Sequence, residues 1–431
     1  MEYDTSYVTC GSEQLLGIKV CGVQNDERRP THFILLLDTS GSMEIDNRLT
    51  SVKNCVRFML NFLKPSDRIS IIRFSNTAEI TVSFQATTVE NRMIIERHID
   101  SLVAGGSTNL SAGLLKVRDV MAAATATASA SATASASAIV AAMKTGLVIL
   151  TDGFANMGMN DESSLRSLTG MLRQQNVNMS VSTIGYGIDH AAQLLRNIAL
   201  EGGGSYNIIS NEEQVGGVFA EVLGGLVSCV VQNVEIVFPS GWSHCTGYMC
   251  REEAGRKHLF IGDIYSQSEV IVLLKPGGAA LDNVQIRGFN CINMTDYNRR
   301  LEWAFGVFRD EISYKAYYIR WRLANCLDQI GLGVASGEIR NELDDLEVII
   351  ATLGTGPMIN MLRSEILSAK RDLNRPENDD NSLNLTQNIQ RSAFLTTGRG
   401  AATQTVDDPQ ERSMFLSPVQ RQISAAMSSQ Y

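Results

Sequence analysis

Between Thr31 and about Leu226, short unbroken apolar runs alternate with stretches in which apolar residues recur every three or four positions. "HFILLLD" predicts a strand buried on both faces. After it, Leu49, Val52, Val56, Met59, Leu60 and Leu63 mark an amphipathic helix that "KPSD" ends. "RISIIRFS" is the next strand. "AEITVSF" follows so closely that it predicts an antiparallel edge strand, because a parallel one needs a longer crossover. A helix ("VENRMIIERHIDSL"), a loop ("VAGGSTNL") and a helix from about Ser111 come next. "GLVILTDG", "MSVSTIGYG" and "SYNIIS" are further strands with helical stretches between them. Such alternation predicts an α/β fold, a doubly wound and mostly parallel sheet covered on both faces.

Beyond Gly225 the pattern changes. "LVSCVVQNVEIVFPSG", "KHLFIGDIYSQSEVIVLLKPG" and "LDNVQIRGFNC" predict an antiparallel β domain. "EQLLGIKVCGVQ" near the start has the same texture and is expected to join it, so that the α/β domain is inserted in, or followed by, a β-sandwich. From about Asn298 to Leu373 the period is helical. The expected organisation is residues 1–30 as N-terminal strands, 31–226 as the α/β domain, 227–292 as the β domain, 293–375 as a helical region and 376–431 as a flexible polar tail. Within that tail, "ERSMFLSPVQRQISAAM" has the pattern to dock. The Ala/Ser/Thr-rich tract at 121–144 reads as a helix extension or a surface insert without chemistry of its own.

The net charge of −9 leaves no basic field to hold a nucleic-acid backbone. No apolar stretch approaches the roughly 20 residues of a membrane span. The N-terminus has acidic residues where a secretory leader needs basic ones, so a cytoplasmic location is expected. The eight cysteines include no C-x-x-C pair, which argues for reduced thiols rather than a local zinc site.

Candidate chemistry lies at strand ends. In a doubly wound sheet, ligands bind beyond the carboxyl ends of the strands where strand order reverses. "HFILLLDTSGSM" delivers Asp38, Ser40 and Ser42 there, and "LVILTD" delivers Asp152. "GGSTNL" adds Thr108 on a loop before a helix. These five are hard oxygen donors without imidazole or thiolate, which select Mg²⁺, or Mn²⁺ or Ca²⁺. A phosphotransfer aspartate would want a second Asp two positions after the first, where Ser40 stands, and a P-loop would want Gly-Lys-Ser/Thr. Helix capping needs only one of the hydroxyls.

"DTSGSM…GGSTN…LTDG" resembles the metal-ion-dependent adhesion site of von Willebrand factor type A domains, over roughly residues 31–226. The resemblance implies that Ser40, Ser42 and Thr108 bind the ion directly, with Asp38 and Asp152 supporting them. It also implies a protein partner that supplies an Asp or Glu to the ion. The stretches "IGYGIDHAAQLLRNIALEGGGSYNIIS" and "LFIGDIYSQSEVIVLL" look like the plant-type RING-finger von Willebrand A ubiquitin ligases and their RING-less relatives. This chain lacks a RING cysteine array, so the resemblance implies at most a substrate-recruiting component. An extracellular adhesion protein is a third reading.

Other candidates have plainer explanations. "SHCTGYMC" (His244, Cys245, Cys250) is expected to be a hairpin with partly buried thiols, and Asp189 a helix cap. "GGG" at 202–204 is expected to be a turn before a strand. Trp303, Tyr314, Tyr317, Tyr318 and Trp321 are expected to be core between packed helices. None of the five histidines sits beside a nucleophile in a G-x-S-x-G elbow, so no enzymatic constellation emerges.

Overall fold

The computed structural model describes every residue except 11–12, 25–28, 130–142, 153–154, 177, 188–189, 210–211, 278–283, 294, 302–310, 332–333, 335–336, 374–417 and 429–431. The chain opens with the antiparallel pair β1 (Glu2–Cys10) and β2 (Glu13–Cys21). The α/β domain follows as β3 (Thr31–Asp38), a 3₁₀ turn (Gly41–Asn47), α1 (Arg48–Phe62), β4 (Arg68–Phe74), β5 (Ala78–Ala86), α2 (Val89–Asp100) and α3 (Leu110–Ser129). It continues through β6 (Lys144–Thr151), α4 (Glu162–Gln175), β7 (Met179–Tyr186), α5 (Ala192–Gly202), β8 (Gly203–Ile209) and α6 (Glu212–Ser228). The chain then returns to β structure with β9 (Cys229–Pro239), β10 (Ser243–His244), β11 (Met249–Glu253), β12 (Arg256–Tyr265), β13 (Glu269–Lys275), β14 (Gln285–Asn290) and β15 (Thr295–Arg300). Helices α7 (Glu311–Gly331), α8 (Gly337–Ala351), α9 (Pro357–Leu373) and α10 (Pro418–Ser428) complete it.

The six-stranded sheet runs β5-β4-β3-β6-β7-β8, parallel throughout except for the antiparallel edge strand β5. Every residue of β3 is buried because alternate side chains feed two cores. Phe33, Leu35 and Leu37 pack with Val52, Val56 and Met59 of α1 and with Val218 and Phe219 of α6. Ile34 and Leu36 point the other way, among Leu114 and Val117 of α3 and Leu165 and Leu168 of α4. An uninterrupted apolar run is what a central strand with two covered faces requires.

β2 pairs with β13, so the chain begins the sandwich, leaves it for the α/β domain and returns at β9. The sandwich stacks a β1-β2-β13-β10 sheet on a β11-β12-β9-β14-β15 sheet, with Leu16, Ile18 and Val272 meeting Ile236, Phe238 and Leu259 between them. On its other face the first sheet presents Val8, Leu15, Ile271 and Leu273 to Tyr314 of α7. Gly17 makes that contact possible, since a Cβ there would lie 2.4 Å from the Tyr314 ring. At the joint with the α/β domain, Lys144 Nζ donates to the Leu226 carbonyl at 3.1 Å and stands 3.5 Å from the Asp263 carboxylate. Arg173 donates to the Glu201 carbonyl (2.9 Å) and to Asn233 Oδ1 (3.2 Å), and Arg251 pairs with Glu201.

Several expectations are corrected. "SHCTGYMC" is not a hairpin: β10 pairs with β13 in one sheet and β11 with β12 in the other, so the segment crosses between sheets. Cys245 is buried and Cys250 half-buried. The helical region does not begin at 293, because β15 pairs with β14. β15 is a polar edge strand whose exposed charges hide its register from a hydrophobicity pattern. Tyr314, Tyr317, Tyr318 and Trp321 pack on the sandwich sheet rather than between helices, and Trp303 lies outside the described residues. In "GGG", Gly202 ends α5 while Gly203 and Gly204 already belong to β8. The tail from 376 includes α10, which packs on α6 through Ile423 and through a 2.9 Å bond from Gln420 Nε2 to the Glu221 carbonyl. Of the Ala/Ser/Thr tract, 121–129 extends α3, residues 130–142 lie outside the described residues, and Lys144 opens β6. No helix among the described residues is long and apolar enough to cross a membrane.

His32, in β3, is fully enclosed, with Nε2 2.8 Å from Ser70 Oγ and its ring edge-on to Phe84. Burial, reinforced by nearby Arg68, lowers its pKa from the usual 6.5 to about 3. The unfolded chain therefore binds a proton that the folded chain refuses between about pH 6.5 and 3, and stability falls as pH drops through that window. His32→Gln is expected to remove about 2–3 kcal/mol of the acid destabilisation between pH 7 and 4.5, at about 1.4 kcal/mol per pH unit. Denaturant unfolding at both pH values checks this; equal losses in wild type and variant would refute it.

Candidate functional site

β3 and β6 lie side by side in register, Leu37 opposite Leu150, so their carboxyl ends finish at one level. The chain leaves β3 toward β4 on one side and later crosses to β6 on the other, making the β3/β6 boundary the reversal point of the sheet. Asp38 is the last residue of β3, and Asp152 directly follows β6.

Hydrogen bonds link four of the five expected residues into one network. Asp38 Oδ1 accepts from the Ser40 backbone N–H at 2.7 Å, and Oδ2 accepts from the Thr151 hydroxyl. Ser40 Oγ lies 3.1 Å from Ser42 Oγ, and Ser42 Oγ donates to Asp152 Oδ1 at 2.7 Å. Arg48 Nη1 donates to Asp152 Oδ2 at 2.7 Å. Ser40 occupies the cap position of the 3₁₀ turn, yet its side chain makes no capping bond. Its hydroxyl faces the network instead, which removes helix capping as the reason for a serine there.

Thr108 is outside that network, but the loop that carries it is bonded to the same turn. The Gly41 N–H donates to the Gly106 carbonyl at 2.9 Å, and the Gly105 N–H to the Thr39 carbonyl at 2.8 Å. Two bonds thus fasten the "GGST" loop to the "DTSGS" turn. On its other side Thr108 exchanges bonds with Asn156, N–H to Oδ1 at 2.9 Å and carbonyl from N–H at 3.1 Å. Gly106 has φ +85°, a conformation that disfavours any side chain, and a Cβ there would stand 2.9 Å from Asn76 Oδ1.

Burial raises the Asp38 carboxyl to about 6, against the hydrogen bonds from Thr151 and Ser40 that favour its charged form; the neighbouring Asp152 raises it further. Two buried carboxylates therefore share one crevice, with Arg48 paired to one of them. This chemistry fits a hard divalent cation, which would relieve the crowded negative charge and take hydroxyl oxygens as ligands. Among the described residues no group of three or more His, Cys, Asp or Glu could hold a metal. An ion here would accordingly rest on the Ser and Thr hydroxyls as much as on the carboxylates.

A family model for the von Willebrand factor type A domain matches residues 33–221, the span of this sheet and its helices. Residues 33–221 have the von Willebrand factor type A fold. Its fold is similar to that of a von Willebrand factor type A protein from Catenulispora acidiphila (14% identity, TM-score 0.57, covering 84% of this chain and 89% of that one). It is also similar to the ArnB paralog VWA2 from Sulfolobus acidocaldarius (16% identity, TM-score 0.59, covering 91% and 98%). Both structural matches extend well beyond the A domain. In sequence the chain is similar to the uncharacterized proteins YfbK of Escherichia coli (25% identity, 65% of this chain and 48% of that protein) and sll0103 of Synechocystis (24%, 61% and 62%). The chain thus spans roughly half to three-fifths of the length of these two relatives.

Three contributors escaped the sequence reading. Thr151 stands one residue before Asp152 in "LTDG"; strand alternation gives its face of the sheet, and the register with β3 brings it level with Asp38. Asn156 and Arg48 carry no pattern that sets them apart from ordinary polar residues. Asp189 lies outside the described residues, and α5 begins at Ala192 with Ala191 in the cap position, making no side-chain cap. His190 is buried, with Nε2 2.7 Å from the Tyr206 hydroxyl and Nδ1 2.7 Å from the Gly187 carbonyl.

Gly106→Ala is expected to cost about 1–2 kcal/mol from the backbone conformation and the Asn76 contact. Urea unfolding of the variant measures it, and stability equal to wild type would show that the loop relaxes freely.

Proposed function

We propose that the A domain is a metal-dependent protein-interaction module that binds an acidic side chain of a partner through a divalent cation, Mg²⁺ foremost. The observation that carries the reading is the hydroxyl network at the β3/β6 boundary. Ser40 and Ser42 face each other 3.1 Å apart, and neither hydroxyl is spent on a helix. Ser40, Ser42 and Thr108 would hold the ion. Asp152 accepts the hydrogen bond of the Ser42 hydroxyl, which leaves that oxygen lone-pair capacity for a cation. Asp38 fixes the turn through the Ser40 N–H and adds charge close by. An ion held mainly by neutral hydroxyls keeps positive charge to spare, and when bound it supplies a coordination position for an outside carboxylate.

A domains commonly mediate protein interactions through such a site, which supports the same reading for this one. Titration calorimetry with Mg²⁺ is expected to give saturable binding in wild type and none in Thr108→Ala. Indistinguishable titrations of the two proteins would remove the site.

A further inference from the structure

We infer that Arg48 is a built-in counter-ion for Asp152 which a divalent cation must displace, so that this side chain sets how much ion the site needs. The inference rests on the ion-site reading above and concerns how that site is regulated.

The Asp152 side chain has 0% exposure, and its two oxygens are taken by different groups: Ser42 Oγ at Oδ1 and Arg48 Nη1 at Oδ2, each at 2.7 Å. A carboxylate so enclosed needs a positive partner, because removing one member of a buried ion pair leaves an uncompensated charge. Without a metal, Arg48 is the cation in contact with it. Its position is built by the backbone. Asp46 and Asn47 immediately before it both have left-handed φ, +49° and +54°, a conformation that costs energy in a residue with a side chain. That kink between the 3₁₀ turn and α1 brings Arg48 back over the crevice. On the far side its guanidinium lies 5.6 Å from the centre of the Tyr186 ring, at the end of β7. Arg48 therefore bridges the ends of β6 and β7 across the mouth of the site.

A divalent ion held by Ser40 and Ser42 would sit beside the carboxylate that Arg48 already neutralises. Two cations drawn to one acid at such short range repel each other, and low local dielectric strengthens the repulsion. Ion entry and the Arg48–Asp152 pair are then antagonistic. Removing the guanidinium should favour the ion and penalise the ion-free fold.

The test compares wild type, Arg48→Gln, Arg48→Lys and Thr108→Ala by Mg²⁺ calorimetry, with melting temperatures recorded with and without Mg²⁺. Arg48→Gln is expected to bind Mg²⁺ at least tenfold more tightly than wild type. It should also melt lower without the ion and gain more on adding it. Arg48→Lys, a shorter point charge, should fall between them, and it carries the test if Arg48→Gln does not fold without metal. Affinity in the Arg48 variants equal to or weaker than wild type, while wild type binds Mg²⁺ and Thr108→Ala does not, overturns the inference and leaves the ion site standing. Binding in Arg48→Gln but not in wild type supports it in its strongest form. Binding in neither protein overturns both readings.

Discussion

The in-register pairing of β3 with β6 is the constraint on which the rest of the site depends. Seven residue pairs from Thr31–Lys144 to Leu37–Leu150 hold the two strands together. Their burial on both faces leaves no room for a slip, since a one-residue shift would turn apolar side chains from both cores. That fixed register brings Asp38 level with Thr151 and puts Asp152 just beyond. Everything polar at the site is then arranged by short loops hanging from two strands that cannot move relative to each other.

Such rigidity has an electrostatic consequence. Asp38 and Asp152 are both enclosed, and burial opposes the charged form of each. The surrounding hydrogen bonds are the chain's answer: a backbone N–H and a threonine hydroxyl for Asp38, a serine hydroxyl and a guanidinium for Asp152. Left-handed backbone at Asp46 and Asn47, and at Gly106 where glycine adopts it freely, shapes the loops that carry these donors. Even with these donors, burial holds the Asp38 carboxyl above its ordinary value.

The fold class was legible because period and length agree along the α/β stretch: apolar runs of strand length, helical spacing between them, and one connection too short for a crossover. The five candidate residues stood out because three local signals each sit at a strand end or a loop before a helix, and hydrogen bonds bring four of them together. What escaped was non-local. Arg48 is an unexceptional polar residue at a helix start until the left-handed kink turns it toward Asp152, 104 positions away. "SHCTGYMC" reads as a hairpin because two short strands flank a turn, and only the pairing with β12 and β13 shows that it changes sheets. The aromatics of α7 have helical spacing whether they face helices or a sheet; Gly17, which opens space for Tyr314 on the sheet, lies far away in the chain.

The β-sandwich meets the A domain at the opposite end of the same strand. Lys144, the first residue of β6, reaches the Leu226 carbonyl and Asp263 of β12, while Arg173 and Arg251 fasten the ends of α4 and α5 to β9 and β11. All of these contacts lie at the amino ends of the parallel strands. An eight-residue strand spans about 26 Å at roughly 3.3 Å per residue, so the joint and the crevice are kept well apart. Through these contacts the sandwich braces the sheet at the end away from the polar network. β6 thus carries the joint at one terminus and the polar network at the other, and its fixed length keeps the two apart.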